Sequence, residues 1–181
     1  MARIDLPDPE SSPELREYYE SSRYENESPY RRARLHNPDV LEAQNEYQRA
    51  LFEAGPIDEA LYEYIMVTVA QTNDCDYCAG SHRLKLMSIA GVSEEVIDEL
   101  AAGNYDTLDE RERAVVEFAE QVSNDPHRVT DAQLEALFDV GFDESDIMQL
   151  LALIGTCNTS NMIVSSLGIT PDDRADELPT Y

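Results

Sequence analysis

Two cysteines and one histidine lie close enough in the sequence to act together. Cys75, Cys78 and His82 are separated by steps of three and four residues, and an α-helix brings side chains at these steps to one face. Because each helical residue turns the chain by about 100°, the three side chains share a stripe about 60° wide. The imidazole can take the proton of the Cys78 thiol or pair with its thiolate. Once a substrate oxidises one sulfur, the other can condense with it to a disulfide, so the spacing predicts redox chemistry or metal binding.

The position of the cysteines at a predicted helix start favours a thiolate but does not select the attacking sulfur. Unpaired backbone N–H groups and the helix dipole attract an anion there, whereas the carboxylates of Asp74 and Asp76 oppose one. Adjacency to His82 favours Cys78 as the nucleophile, while in thioredoxin-like helices the first cysteine attacks. The residues alone leave both assignments open.

One carboxylate lies in an otherwise uncharged segment just before the cysteines. Glu63 is the only charge within residues 60–72, and a lone carboxylate on a mostly buried helix is costly unless it is paired or protonated. Because this segment leads directly into the cysteine helix, Glu63 can approach His82 and orient it or exchange protons with it. The alternative is an exposed glutamate on the one wet strip of that helix.

Helices are the elements that must position these residues. Every long segment has apolar residues at helical spacing, and no stretch shows the alternation of a strand. Asp58 is predicted to cap the helix that holds Glu63, which is apolar nearly all round and therefore predicted to be buried. Asn73-Asp74 break that helix and can cap the cysteine helix. The predicted helices cover residues 13–24, 39–54, 59–72, 75–89, 93–102, 109–123, 130–140 and 143–167.

The composition excludes several classes of function. Among 181 residues, 13 are Lys or Arg and 38 are Asp or Glu, which gives a formal net charge of −25. Such a charge repels nucleic acids and anionic membrane surfaces. We find no signal peptide or membrane span, because charges are expected to break the apolar runs within about ten residues. Self-repulsion of this size is screened at molar salt, so we expect a cytoplasmic protein of a salt-accumulating halophile.

The cysteine motif and its surroundings resemble a known family. Glu63, followed twelve residues later by the segment 75–82 (CDYCAGSH), resembles the alkylhydroperoxidase AhpD-like branch of the carboxymuconolactone decarboxylase superfamily. Segments 108–114, 125–130 and 141–144 resemble the second half of its peroxidase-related members. The resemblance covers roughly residues 38 to 168. It departs from the pattern at Tyr77, where the best-studied type of AhpD has a second histidine.

The resemblance implies a role for each residue of the motif. Cys78 would be the thiolate that attacks a peroxide, and Cys75 the thiol that resolves the sulfenic acid. His82 and Glu63 would form a proton relay, through water, that activates Cys78. The family implies an all-helical fold and assembly as a homotrimer or homohexamer. It requires no metal, haem or flavin, and we expect no cofactor beyond an external dithiol reductant.

These inferences combine into one predicted organisation. We expect an all-α protein of about seven to eight helices with central antiparallel helical hairpins. Residues 1–37 form an acidic N-terminal extension with a helix, residues 38–168 the AhpD-like domain, and residues 169–181 a polar tail. The predicted function is a thiol-dependent peroxidase that reduces hydrogen peroxide or organic hydroperoxides.

Other interpretations remain open from the residues. The pair and His82 could bind zinc with His127, Cys157 or a carboxylate as the fourth ligand. A lactone decarboxylase of the same superfamily would leave the thiol pair unexplained. A non-catalytic helical binding module with an inert cysteine pair is a third possibility, and unreactive thiols would identify it. Cys157 itself, on an apolar helix, is predicted to be a buried small hydrophobe.

Overall fold

The computed structural model describes residues 2–13, 15–17 and 28–170. Every regular element within these residues is helical, and none of them lies in a strand, so the predicted all-α class is confirmed. Two short 3-10 helices occupy Pro9–Ser11 and Pro126–Arg128. The α-helices with defined bounds are α1 (Pro29–Arg34), α2 (Pro38–Glu53), α3 (Glu59–Thr72), α4 (Asp76–Ala90), α5 (Glu94–Ala101), α6 (Glu110–Asn124), α7 (Asp131–Asp139) and α8 (Glu144–Leu167).

Helix α3 lies at the centre of the fold. Its residues 61–70 are buried without interruption, as the absence of a polar face predicts. It packs against α4, α6 and α8. Helices α3 and α4 are joined by three residues and form a helical hairpin, which is the unit that carries Glu63, the cysteine pair and His82.

Three apolar clusters form the core, and α3 contributes to each. The first joins α3 to α6 and α8, and includes Phe118 and Cys157. The second lies between α3, α4, α5 and α6. The third is smaller and contains Cys75 and Cys78 together with Ala70, and side chains from the N-terminal segment pack against it. The cysteine pair therefore lies in a small cluster that the N-terminal segment contacts.

Most helix ends fall within one or two residues of their predicted positions. Helix α3 has the predicted bounds, since the Asp58 side chain accepts a hydrogen bond from the Leu61 amide and caps it. Capping boxes at the starts of α6, α7 and α8 fix those ends in the same way. The sequence analysis missed α1. Of the helix predicted over residues 13–24, Pro13 and residues 15–17 are helical, and the rest lies outside the described residues.

The first residues of the chain bind the far end of α8. The Arg3 amide donates to the Leu167 carbonyl at 2.7 Å, and the Arg32 guanidinium donates to the carbonyls of Leu6 and Pro7. Ile169, within the segment predicted as a tail, is buried as a member of the third cluster. Residues 171–181 lie outside the description, and the division into extension, domain and tail stays a prediction.

Helix α8 is long and apolar. Residues 147–167 carry no charge, so the expectation that charges interrupt every apolar run within about ten residues is wrong here. Among the described residues this is the one helix with the length and composition to span a membrane. Its fully buried side chains, which include Leu150, Leu153 and Cys157, pack in the first core cluster. The first core cluster therefore accounts for the buried part of this helix.

Candidate active site

The cysteine pair occupies the first turn of α4. Cys75 is the N-cap residue and Cys78 lies three residues further, and their Sγ atoms form a disulfide with the Cα atoms 5.3 Å apart. Both residues are buried. The spacing that suggested a redox pair thus brings the two sulfurs into bonding contact across one helical turn.

The start of α4 is built differently from the other helix starts. Asp74, the residue expected to help cap it, has a left-handed backbone with φ of 52°, and no side chain caps the helix at Cys75. The expectation of an Asp74 cap is therefore wrong. The amides of this first turn keep their capacity to stabilise an anion.

His82 and Glu63 are in direct contact. The Nδ1 atom of His82 lies 2.5 Å from Oε2 of Glu63, whose side chain is 3% exposed. The other Glu63 oxygen, Oε1, lies 4.0 Å from Nζ of Lys85. One buried carboxylate is thus shared by two partners on α4, and Glu63 does not occupy a wet strip of its helix.

Burial sets the protonation of His82. Removal from water lowers the pKa of the imidazole below its ordinary value, the carboxylate of Glu63 opposes this, and the charge of Lys85 adds to it. The net direction is downward, so His82 is neutral near pH 7. A neutral ring that donates its Nδ1–H to Glu63 leaves Nε2 as the atom that can accept a proton.

A cavity of about 450 Å³ lies beside these residues. This volume falls within the range of pockets for small organic ligands, about 300–1,000 Å³. Cys78, His82 and Lys85 all line it, and Met66, Ala152 and Val164 form an apolar part of its wall. The cavity gives a small molecule room beside Cys78.

Several cavity residues were missed by the sequence analysis. Asn161 lines the cavity from α8 and is 2% exposed, and its Nδ2 atom contacts the Val69 carbonyl at 3.4 Å. Its Oδ1 atom is buried and accepts no hydrogen bond from the described residues. Helix α1 supplies Arg31 and Arg34 to the wall. The one available signal was for Lys85, which is the only lysine of the chain and lies three residues after His82.

The third cysteine lies apart from the pair. Cys157 is fully buried in the first core cluster, as predicted. Its Sγ atom lies 3.8 Å from the Met66 carbonyl, and burial raises the pKa of its thiol strongly. His127, the other fourth ligand considered for zinc, is exposed. Across the described residues, no group of three His, Cys, Asp or Glu side chains is placed to hold one metal ion.

The fold and the site together define a class of protein. It is the class of small helical proteins in which a Cys-Xaa-Xaa-Cys pair opens a helix and a carboxylate-bound histidine follows on the same helix. The model of the carboxymuconolactone decarboxylase family matches residues 38–121. The matched residues make up less than half of the chain, so the match shows that the chain is similar to this family, and the structures below share its AhpD-like fold.

Comparisons with individual proteins agree with this placement. YnjA of Escherichia coli, named as an uncharacterised protein, is 27% identical over 115 residues, which span 64% of this chain and 63% of YnjA. The chain thus matches less than two thirds of the length of this curated relative. A peroxidase-related protein of Ralstonia eutropha, described as an alkylhydroperoxidase AhpD core, superposes with a TM-score of 0.81 at 26% identity and covers 96% and 94% of the two chains.

Two more distant structures share the fold. A peroxidase-related protein of Silicibacter has a TM-score of 0.83 at 23% identity, with 96% of this chain and 93% of that chain covered. The debrominase Bmp8, solved as a variant in complex with 2,3,4-tribromopyrrole, has a TM-score of 0.78 at 17% identity, with 99% and 100% covered. At these identities the likeness extends to the fold alone.

Proposed function

We propose that this protein is a thiol-dependent peroxidase that reduces hydroperoxides at Cys78. The observation that carries the proposal is that Cys78 is disulfide-bonded to Cys75 and lines the same cavity as His82. A sulfur with a bonding partner on one side and a substrate-sized cavity on the other can alternate between thiolate and disulfide. Two structures named as uncharacterised peroxidase-related proteins share the fold and support the proposal.

In the reduced protein, His82 acts as the base. Its Nδ1–H is donated to Glu63, so Nε2 takes the Cys78 thiol proton directly or through a water molecule. The resulting thiolate lies in the first turn of α4, where the helix dipole favours negative charge. Glu63 holds the ring in one orientation and stabilises the imidazolium that forms. Lys85, close to the same carboxylate, limits how far Glu63 raises the pKa of the imidazole.

In the chemical step, the two cysteines reduce the hydroperoxide and become a disulfide. The Cys78 thiolate attacks the terminal oxygen of a hydroperoxide, the O–O bond breaks, and Cys78 becomes a sulfenic acid. The leaving alkoxide takes the proton from His82 and departs as an alcohol. The Cys75 thiol attacks the Cys78 sulfur, the S–O bond breaks, and water leaves as the disulfide forms. An external dithiol returns two electrons and two protons by thiol–disulfide exchange.

The state of assembly and the cellular setting extend the same proposal. We place the protein in the cytoplasm of a salt-accumulating cell as a homotrimer or homohexamer, without metal, haem or flavin.

Large apolar side chains exposed on α4 and α8 support self-association: Leu84, Met87, Met148 and Met162. Light scattering at molar salt measures the mass of the particle in solution, and a monomeric mass would overturn the proposed trimer or hexamer.

Thiol counting tests the chemistry. The reduced protein is treated at molar salt with one equivalent of cumene hydroperoxide, and its free thiols are counted before and after. We expect the loss of two thiols and a new Cys75–Cys78 disulfide in the wild type and in Cys157→Ser. In Cys78→Ser no disulfide forms.

Two outcomes would redirect the assignment. If both thiols stay free, the pair is structural, and a lactone enzyme or a binding module takes the place of the peroxidase. Because the fold is shared with a debrominase, the same thiol count is also made with 2,3,4-tribromopyrrole in place of the peroxide. If the bromopyrrole oxidises the thiols and peroxides do not, the proposed activity would be reductive debromination instead of peroxide reduction.

A further inference from the structure

The cavity differs in charge from the rest of the chain. About a fifth of all residues are Asp or Glu, yet no carboxylate lines the cavity among the described residues. Three cations do line it: Arg31, Arg34 and Lys85. The chain as a whole is strongly acidic, whereas the Lys and Arg residues of this cavity wall face no carboxylate within the part of the wall that the structure describes.

Lys85 and Arg34 differ in what surrounds their charge. Lys85 lies near the buried carboxylate of Glu63, which offsets its charge. The Nε atom of Arg34 donates to the side-chain oxygen of Gln44 at 3.1 Å, and one terminal nitrogen donates to that of Asn45 at 3.3 Å. The guanidinium also lies 5.1 Å from the centre of the Tyr30 ring.

These contacts orient Arg34 without cancelling its charge. Amide oxygens and an aromatic face are neutral partners, so the guanidinium keeps its full positive charge while its freedom to move is reduced. The side chain is half-buried, where charge is less screened than on an open surface. A held guanidinium of this kind matches the geometry of a carboxylate.

The other parts of the cavity define the rest of a ligand. Met66, Ala152 and Val164 offer apolar contact, and Cys78 is the reactive atom. A molecule that fits all three features has an apolar body, a peroxide group that reaches the sulfur, and one carboxylate.

We propose that the substrate is an organic hydroperoxide that carries a carboxylate, and that Arg34 binds this carboxylate. The inference rests on the proposed peroxidase function and narrows its substrate class. Hydrogen peroxide and neutral alkyl hydroperoxides would react at the same sulfur without the contribution of Arg34. Because Arg34 belongs to α1, the segment before the family-matched region would then determine specificity.

The test compares one unsaturated fatty acid hydroperoxide as the free acid and as its methyl ester, both below the micelle concentration. Single-turnover loss of Cys78 thiol in the reduced full chain, quenched with maleimide and read by mass spectrometry, gives a rate constant for each. In the wild type we expect the acid to react about tenfold faster than the ester, since the two differ by one charged hydrogen-bonded contact. Arg34→Gln lowers the acid rate more than the ester rate, so that the acid-to-ester ratio falls to about one.

Matched variants separate the site from the overall charge. Arg128→Gln removes the same charge from an exposed residue that does not line the cavity, and it leaves the acid-to-ester ratio unchanged. Arg34→Lys keeps the charge without the planar fork and retains part of the preference. Equal rates for acid and ester in the wild type, or an equal loss of both in Arg34→Gln, overturn the inference.

A binding measurement distinguishes failure of the substrate class from failure of the peroxidase. The oxidised protein is titrated by calorimetry with the corresponding hydroxy acid and with its methyl ester, neither of which can oxidise a thiol. Tighter binding of the acid that is lost in Arg34→Gln supports the anion site even if no peroxide reacts. No preference for the acid overturns the site whether or not the protein is a peroxidase.

Discussion

The cysteine pair and Cys157 are equally hidden from solvent but lie in opposite chemical environments. Cys75, Cys78 and Cys157 are 3%, 5% and 0% exposed, so burial alone does not separate them. Cys78 lies at a helix start, beside a cavity that it shares with a histidine. Cys157 lies in the middle of α8, within the apolar core. We therefore expect the surroundings of a buried thiol, more than its exposed area, to decide whether it can react.

The largest difference between Cys78 and Cys157 is expected in the alkylation of the reduced native protein. We expect iodoacetamide to modify Cys78 at least about 10³-fold faster than Cys157, because Cys78 borders a cavity while Cys157 reacts only when the core opens. Peptide mass spectrometry at increasing times measures both rates. The unfolded protein is the control, since all three cysteines react there at similar rates. Similar rates in the native protein would remove the distinction between the two environments.

The next largest effect is expected when the negative charge of Glu63, which contacts His82, is removed. Glu63→Gln keeps an oxygen that can accept from Nδ1 but removes the negative charge that stabilises the imidazolium. We expect the rate of Cys78 oxidation by hydroperoxide to fall about 10²-fold.

Asp98→Asn is the matched control for Glu63→Gln. Asp98 also pairs with a cation on α4, Arg83, but its side chain is 62% exposed, and we expect no change in rate. Equal effects of the two variants would mean that Glu63 acts only through the stability of α4.

A smaller effect is expected from pH. Burial holds the pKa of His82 below its ordinary value, so the base is lost only as the pH falls through that lowered value. Below it, the oxidation rate should drop by up to about tenfold per pH unit. The His82 ring signals in NMR provide the measurement. Titration of His82 at or above the ordinary histidine pKa of about 6.5 would contradict the assignment.

The same shift links pH to stability. The unfolded chain takes up a proton on His82 more readily than the folded protein does. The free energy of unfolding should therefore decrease as the pH falls below the ordinary histidine pKa of about 6.5. Denaturant titrations at several pH values measure this, and His82→Gln should flatten that part of the curve.

The smallest effect concerns Cys157. Cys157→Ala removes a fully buried sulfur and leaves a small void, so we expect the free energy of unfolding to fall by about 1 kcal/mol. The rate of Cys78 oxidation should stay unchanged. Urea denaturation of the reduced protein measures the first quantity. A large loss of peroxide reactivity with intact folding would show that Cys157 takes part in the reaction.

Local sequence signals predicted the helical hairpin at the site. The Asp58 cap and the uncharged run around Glu63 defined α3, and the steps between Cys75, Cys78 and His82 defined one face of α4. These features depend on residues fewer than about five apart, and helix geometry fixes their relative positions. The lone charge at Glu63 also pointed toward His82, because the two helices follow one another directly.

The remaining walls of the cavity could not be predicted in this way. Arg34 and Asn161 reach the cavity from helices far from α4 in the sequence, and no local pattern encodes such packing. Asn161 contacts the carbonyl of Val69 across 92 positions. Lys85 was visible only as the single lysine in an acidic chain, three residues after His82, and this signal did not indicate that it would lie near Glu63.

The single lysine, Lys85, also lies between the cysteine pair and Cys157 in the sequence. A protease that cuts after lysine can cleave the denatured protein only once, between Lys85 and Leu86. One fragment then carries Cys75 and Cys78, and the other carries Cys157. A disulfide within the pair leaves two separate fragments, whereas any bond to Cys157 within one chain holds them together. One digestion followed by a non-reducing gel thus shows which sulfurs an oxidant has joined.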